Sequence, residues 1–417
     1  MIREIFDAIR RNKLRTALTG FAVAWGIFML IVLLGAGNGL INAFEESSSK
    51  RALNSIRVFP GWTSMPCDGL EGGLRVRLKN GDMELTKLNF PDNVLEVGAS
   101  LSPGTFTVSN GNEYVSASVN GYYPNHTEIE DIEMLRGRFI NNIDIERRRK
   151  VLVLGSRAEE ILFRGQGLGA SIGRFVRVGN VVYKVVGVSK SDSQSGQHSV
   201  AVPFSTLQII HNMGDEMHAY SFTTSGLTSI EANEAFETEL RKVLGAAHRF
   251  RPDDMGAIWL WNRMTQYLTT QTAMNALTVA IWVIGIFTLL SGVVGVSNIM
   301  LITVKERTRE FGIRKALGAK PRSILALVLA ESIVITTLFG YVGMVAGIGV
   351  TELANSMLGS STMDNGAWSE TVFTNPTVDL SVAIEATLTL VAAGTIAGFI
   401  PARKAVKVKP IEALNAD

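Results

Sequence analysis

The sequence predicts a membrane α-helical protein with four transmembrane helices and a large α+β extracytoplasmic domain inserted between the first and the second. Three observations predict it: four long apolar runs, basic residues clustered beside them, and a stretch of mixed polarity, residues 45–263, separating the first two runs. A bilayer core of about 30 Å needs about 20 apolar residues per helix, which each run supplies. With 47% hydrophobic and 19% charged residues and a mean hydropathy of +0.21, the chain is too apolar for an ordinary soluble protein of 417 residues. A net charge of +2 gives no footprint for nucleic acid, and a single cysteine, Cys67, excludes an intrachain disulfide.

In order along the chain, residues 1–15 read as an amphipathic helix on the cytoplasmic membrane surface. Ile2, Ile5, Phe6 and Ile9 make its apolar stripe, with Arg3, Glu4, Asp7 and Arg10 elsewhere. Residues 16–44 form the first span, without a charge and too long for a signal-peptide core. Residues 264–304 hold the second, also without a charge; its polar beginning, Thr265 to Gln271, suits a helix that continues into water as a stalk. The third span is 323–352, a short extracytoplasmic loop 353–379 follows, the fourth span is 380–402, and residues 403–417 form a tail. Gly285, Gly292 and Gly295, with Gly343 and Gly347, allow close helix packing. Arg3, Arg10, Arg11, Lys13 and Arg15 precede the first span, and Arg403, Lys404, Lys407 and Lys409 follow the fourth, whereas Leu353 to Asp379 holds no Lys or Arg. The positive-inside bias therefore places both termini and residues 305–322 in the cytoplasm.

Residues 45–263 read as a folded mixed domain. Leu74, Val76 and Leu78 alternate with Arg75, Arg77 and Lys79 as in a half-buried strand. Phe106 to Val108 and Tyr114 to Val119 flank Asn110-Gly111, a hairpin signal. Lys150 to Leu154, Arg174 to Val178 and Val181 to Val188 are β-branched, and Ser229 is a plausible cap for a helix to Leu244. The strand-rich block of about 130–200 reads as an inserted subdomain.

Catalytic chemistry is hard to find. His126, His198, His211, His218 and His248 form no metal-ligand spacing, Ser195-Gly196 lacks a nucleophile-elbow context, and no Gly-Lys dipeptide exists for a phosphate loop. The sequence therefore predicts no enzyme activity, no cofactor and no metal site in this chain. Between the second and third spans lies a dense charged segment. Lys305, Glu306, Arg307, Arg309, Glu310, Phe311, Gly312, Arg314 and Lys315 have helical spacing there, with Arg307, Glu310 and Arg314 on neighbouring positions. It reads either as a solvated loop that sets topology or as a short lever at the membrane surface. Glu331 is an acid well inside a span and close to that loop, where pairing with its Lys or Arg is the simple account.

Residues 304–324, VKERTREFGIRKALGAKPRSI, resemble the coupling-helix motif of MacB-type (FtsX-like) ABC permeases. Gly398 to Ala405 and Pro410 to Leu414 resemble that family's terminal pattern, and Leu135 to Phe139, Val151 to Gly155, Leu162-Phe163, Gly167 to Gly169 and Val185 to Val188 resemble its external domain. The resemblance implies mechanotransmission: a cytoplasmic ATPase moves the coupling helix, and stalk helices pass the motion to porter and sabre subdomains, the latter at about 130–200. It implies a dimer with a second permease copy or a close paralogue, and ATP and Mg bound by the ATPase. In the family's founding exporter the ATPase is fused to the permease N-terminus, whereas here residues 1–15 alone precede the first span, so a separate ABC ATPase subunit is expected. The implied work is expulsion of peptides, toxins or antibiotics from the periplasm across a bacterial inner membrane, with a periplasmic adaptor and outer-membrane duct as further partners. A lipoprotein-releasing permease and a transmembrane signal transmitter for a cell-wall hydrolase are the alternatives.

Overall fold

The computed structural model describes residues 13–49, 52–130, 132–190, 198–358, 360–364, 369–374 and 380–407. The amphipathic helix expected over 1–15 and the tail motif at 410–414 lie outside them, apart from residues 13–15. In chain order, helix α1 (Lys13–Ser49) is followed by strand β1 (Ser55–Pro60), helix α2 (Asn80–Asn89), strands β2 (Val94–Asn110) and β3 (Glu113–Tyr122), and the single turn α3 (His126–Ile129). Next come β4 (Met134–Gly137), α4 (Asn142–Glu146), β5 (Val151–Gly155), α5 (Ser156–Leu162), β6 (Phe175–Val178), β7 (Val181–Ser189), β8 (His198–Pro203) and α6 (Phe204–Ile210). Strand β9 (Ala219–Thr224), helix α7 (Ile230–His248) and strand β10 (Ile258–Asn262) lead into helix α8 (Arg263–Glu306). Helices α9 (Thr308–Ala316) and α10 (Pro321–Leu358), strands β11 (Ser360–Asp364) and β12 (Ser369–Thr374), and helix α11 (Leu380–Lys407) complete the chain.

These elements make two compact units, one of residues 1–45, 273–362 and 371–417 and the other of residues 46–272 and 363–370. The membrane unit packs α1, the membrane part of α8, and α9 to α11. Gly20–Glu46, Arg263–Glu306 and Pro321–Met357 are long and apolar enough to cross a membrane. Helix α11 covers the expected fourth span and runs on through Pro401 to Lys407. The interior of the membrane unit holds Val23, Ile27, Leu30, Ile31, Leu289, Val296, Met300 and Val328. Glycines let the helices approach closely, as the sequence predicts. A methyl group on Gly343 would sit 2.2 Å from the carbonyl oxygen of Ala24, and one on Gly285 2.3 Å from Leu30. Gly295 is looser, with its nearest neighbour at 4.0 Å. Ser332 Oγ donates to the Gly394 carbonyl at 3.0 Å and ties α10 to α11.

The inserted unit is built on one ten-stranded sheet of order β10-β1-β9-β2-β3-β8-β5-β7-β4, with β6 bridging β2 and β7. The expected hairpin is β2–β3, turning at Gly111 with φ 61°, and Ser229 caps α7 by accepting from the Ala232 amide at 3.2 Å. The strands of the 130–200 block extend the same sheet: β8 pairs in parallel with β3, Val119 opposite Val200, β5 pairs with β8, and β6 pairs with β2, Val178 opposite Val108. Strand β3 carries backbone donors and acceptors on both edges, and a neighbour there satisfies them. Residues 75–79 keep their alternation, with Val76 5% and Leu78 0% exposed, whereas Leu74 is 46% exposed, and the segment forms only isolated bridges from Arg75 to Trp62 and from Lys79 to Glu216. The segment expected to be only a loop between the third and fourth spans carries the two-stranded sheet β11–β12.

The motif residues of the inserted unit hold turns in place. Gly137 has φ 75° and passes so close to Val186 that a side chain would collide with its carbonyl oxygen. The following Arg138 pairs with fully buried Asp144 at 2.6 Å. The buried Glu159 carboxylate accepts from the amides of Gly169 and Ser171, pinning the Gly-Leu-Gly turn.

Candidate functional site

The charged segment folds as the spacing predicts, into the short helix α9, one residue after α8 ends. Arg307 is that residue (φ −97°, ψ 11°), and its carbonyl accepts from the Phe311 amide at 3.1 Å. The far end closes in a Schellman arrangement: the Ala319 amide donates to the Arg314 carbonyl at 3.0 Å and the Gly318 amide to the Lys315 carbonyl at 2.9 Å. That requires a left-handed residue, and Gly318 supplies φ 92°. Pro321 then opens α10, where a missing amide hydrogen costs nothing.

A ladder of charges runs along this helix. Arg307 Nε lies 2.8 Å from Glu310 Oε2, and Arg314 Nη2 lies 2.7 Å from Glu310 Oε1, at the i,i+3 and i,i+4 spacings read from sequence. The hydrogen bond from Arg307, then the charges of Arg307 and Arg314, hold the Glu310 carboxyl below its ordinary range against partial burial. Arg307 also reaches out of the ladder, with Nη1 3.1 Å from Glu331 Oε2 on α10. Glu331 is 5% exposed, so the intramembrane acid is paired in the way its distance from the loop predicts. Removing one partner of such a buried pair costs about 3–5 kcal/mol. Lys315 Nζ donates to the Val406 carbonyl in the last turn of α11. The lever is thus fastened to both α10 and α11.

Phe311 turns inward. As an outward apolar anchor it would be exposed, yet it is 1% exposed and packs in the same cluster as Ile324, Leu327, Val328, Ala402 and Ala405, under the Arg307 guanidinium at 5.4 Å. Gly312 is buried beside it. The outward apolar residues are Ile313, 43% exposed, and Leu317, 84% exposed. With Arg309 they follow at four-residue spacing, so a basic and apolar strip faces away from the bundle, with Lys305 and Glu306 exposed at the end of α8. Sequence reading missed Ile313 and Leu317 because α9 carries two apolar positions on opposite faces, and only packing decides which one the bundle takes.

Four of the five histidines serve local structure. His126 stacks on Tyr122 with ring centroids 3.7 Å apart, His211 meets Phe106 at 5.3 Å, and His248 Nε2 lies 2.9 Å from Asp82. His218 Nδ1 accepts from the Ser102 amide at 3.1 Å.

One membrane helix, an inserted α+β domain, and then further membrane helices joined by a charged short helix define a multi-pass membrane permease. Residues 16–243 match the MacB-like periplasmic core domain and residues 282–410 the FtsX-like permease C-terminal domain. The chain belongs to the MacB/FtsX-type family of ABC permeases, and the inserted unit is its periplasmic domain. It is 30% identical over 421 residues to the macrolide export ATP-binding/permease protein MacB of Wolinella succinogenes, covering 99% of this chain and 60% of that protein. The corresponding protein of Chromobacterium violaceum is 28% identical, over 98% of this chain and 59% of the other. The chain spans about 60% of the length of these curated relatives, matching their permease portion. Among solved structures, the periplasmic region of MacB from Actinobacillus actinomycetemcomitans is 18% identical, with TM-score 0.43, covering 55% of this chain and 97% of the other. The extracellular domain of the ABC-type transporter YknZ from Gram-positive bacteria is 20% identical, with TM-score 0.41, covering 50% and 100%.

Proposed function

We propose that the chain is the permease subunit of a MacB-type ABC transporter in the bacterial inner membrane. It passes ATP-driven motion from a separate cytoplasmic ATPase to its periplasmic domain and so expels peptides, toxins or antibiotics from the periplasm. The observation that carries this reading is the fastening of α9. The helix follows α8 after a single residue, is bonded to α10 through Arg307 and Glu331 and to α11 through Lys315, and still presents Arg309, Ile313 and Leu317 outward. A force applied to that strip reaches three membrane helices at once. ATP and Mg belong to the ATPase, and a second permease copy completes the assembly; a periplasmic adaptor and an outer-membrane duct would carry the substrate onward.

Ile313→Asp with Leu317→Asp tests the strip. Buried apolar anchors dominate interface energies, so the ATPase co-purifying with the double variant is expected to fall by at least about tenfold, with expression and thermal stability at the wild-type level. Normal recruitment by the variant overturns the reading of α9. A complex that hydrolyses ATP and moves its periplasmic domain but expels nothing would assign the chain to signalling.

A further inference from the structure

The outer end of α8 is built differently from its inner end. Strand β10 ends at Asn262 and α8 begins at Arg263, with no residue between them, whereas residues 50–54 separate α1 from β1. Three sets of bonds converge on this junction, and every partner lies in the periplasmic unit. β10 pairs with β1, Asn262 opposite Ile56. Asn262 Oδ1 caps α8 by accepting from the Met264 amide at 3.0 Å, while its Nδ2 donates to Asn233 Oδ1 at 2.8 Å and Glu237 Oε1 at 2.9 Å, both on α7. Arg263 Nη1 donates to the Ile129 carbonyl at 2.5 Å and Nη2 to Glu130 Oε1 at 2.7 Å, in the segment that leads from β3 towards β4.

We propose that Asn262 and Arg263 form the joint through which movement of α8 enters the periplasmic domain, in two directions: into α7 through Asn262, and into the 126–130 segment, hence the β4–β8 half of the sheet, through Arg263. The proposal rests on the mechanotransmission reading above. A flexible linker would absorb displacement of the helix, and this junction has none. Asn262 is 7% exposed and the Arg263 side chain 18%, so water does not compete freely for these bonds. The buried side-chain polar atoms without a hydrogen-bond partner among the described residues are Arg57 Nε, Asn125 Nδ2 and Thr265 Oγ1. Two of them adjoin the joint: Arg57 lies 3.9 Å from Glu130, and Thr265 is in the first turn of α8. Unpaired buried polar atoms cost free energy, which a second arrangement of the joint would recover, as a two-state coupling element requires. Asn262 and Arg263 are positioning residues in this scheme; neither touches a substrate.

The test uses the full chain with its ATPase in nanodiscs, with Cys67→Ser and spin labels at two exposed periplasmic positions, Arg147→Cys beyond α4 and Glu239→Cys on α7. In the otherwise wild-type complex, trapping the ATPase with ATP and vanadate is expected to shift the distance distribution between the labels. Asn262→Ala with Arg263→Gln is expected to lose at least half of that shift, while ATPase recruitment and turnover stay within twofold of wild type. A purely structural role would alter unfolding without separating the periplasmic response from hydrolysis. A shift of wild-type amplitude in the double variant overturns the joint alone. No shift in the wild-type complex overturns the mechanotransmission reading, and the joint with it. Should the double variant fail to fold, Glu130→Gln, which keeps volume and removes one charge, is read in the same way: wild-type amplitude overturns the joint.

Discussion

The two ends of α8 both rely on an arginine fork, yet they are built on opposite plans. At the inner end, Arg307 sits in a ladder with Glu310 and Arg314 that local spacing alone produces, and it also reaches Glu331 on α10. At the outer end nothing is local beyond the cap: Arg263 bonds residues 129 and 130, and Asn262 bonds residues 233 and 237. The inner end keeps an apolar and basic strip exposed, while the outer end spends its polar groups on its own domain. The difference teaches where a partner is expected. A surface that docks another subunit must stay open, and one that passes movement within a chain gains by being buried.

The sharpest way to break this comparison is at Phe311. If it faces inward, Phe311→Ala creates a cavity in the membrane bundle and costs about 3–5 kcal/mol, seen as a large drop in thermal stability of the detergent-solubilised chain. Ile313→Asp, on the open face, is expected to stay within about 0.5 kcal/mol. Equal stability of the two variants would mean that the faces of α9 are assigned wrongly.

A smaller effect probes the packing that holds the membrane unit together. Gly343→Ala would push a methyl group against the backbone of Ala24, which cannot rotate away as a side chain can. We expect α1 and α10 to separate at a cost of about 1–3 kcal/mol. Gly349→Ala, facing open space within 4 Å, should leave the melting temperature unchanged. A harmless Gly343→Ala would argue against close approach of these helices.

The smallest expected effect is a pH slope at the outer end. Burial drives the His126 imidazole down to about 3, with Glu130 pulling it up and Arg57 and Arg263 pushing it down further; its ring also stacks on Tyr122. In the unfolded chain it titrates near 6.5, so between those values the unfolded state takes up a proton that the folded state refuses. Stability of the periplasmic domain should therefore fall as pH drops below about 6.5, by up to about 1.4 kcal/mol per pH unit. Burial raises the Glu130 carboxyl, but the charge and hydrogen bond of Arg263, then His126 and Arg57, bring it below its ordinary value. It therefore adds a loss of the same sign only under more acid conditions. His126→Phe keeps an aromatic ring against Tyr122 and should flatten the slope between pH 6.5 and 5 in hydrogen exchange of the domain. An unchanged slope would place the titrating group elsewhere.

The sequence by itself determined what composition and local periodicity can express. The apolar runs show as helices, with Gly20–Glu46, Arg263–Glu306 and Pro321–Met357 long and apolar enough to cross a membrane. The β2–β3 turn at Gly111, the Ser229 cap and the Gly318 helix end follow from neighbours within a few residues, as does the Arg307–Glu310–Arg314 ladder. Tertiary structure decided the rest. That β8 would lie beside β3, joining the 130–200 block to a single sheet, depends on pairing across some 80 residues, which no periodicity encodes. Which face of α9 the bundle takes was undecidable from spacing, because Phe311 and Ile313 lie nearly opposite on one turn and differ only in what packs against them. Arg263 and Glu130 read as unrelated surface charges until the fold brings them to 2.7 Å. Hydrogen bonds and packing act over a few ångströms in space, so a contact distant along the chain leaves no trace in one sequence until the backbone closes the distance.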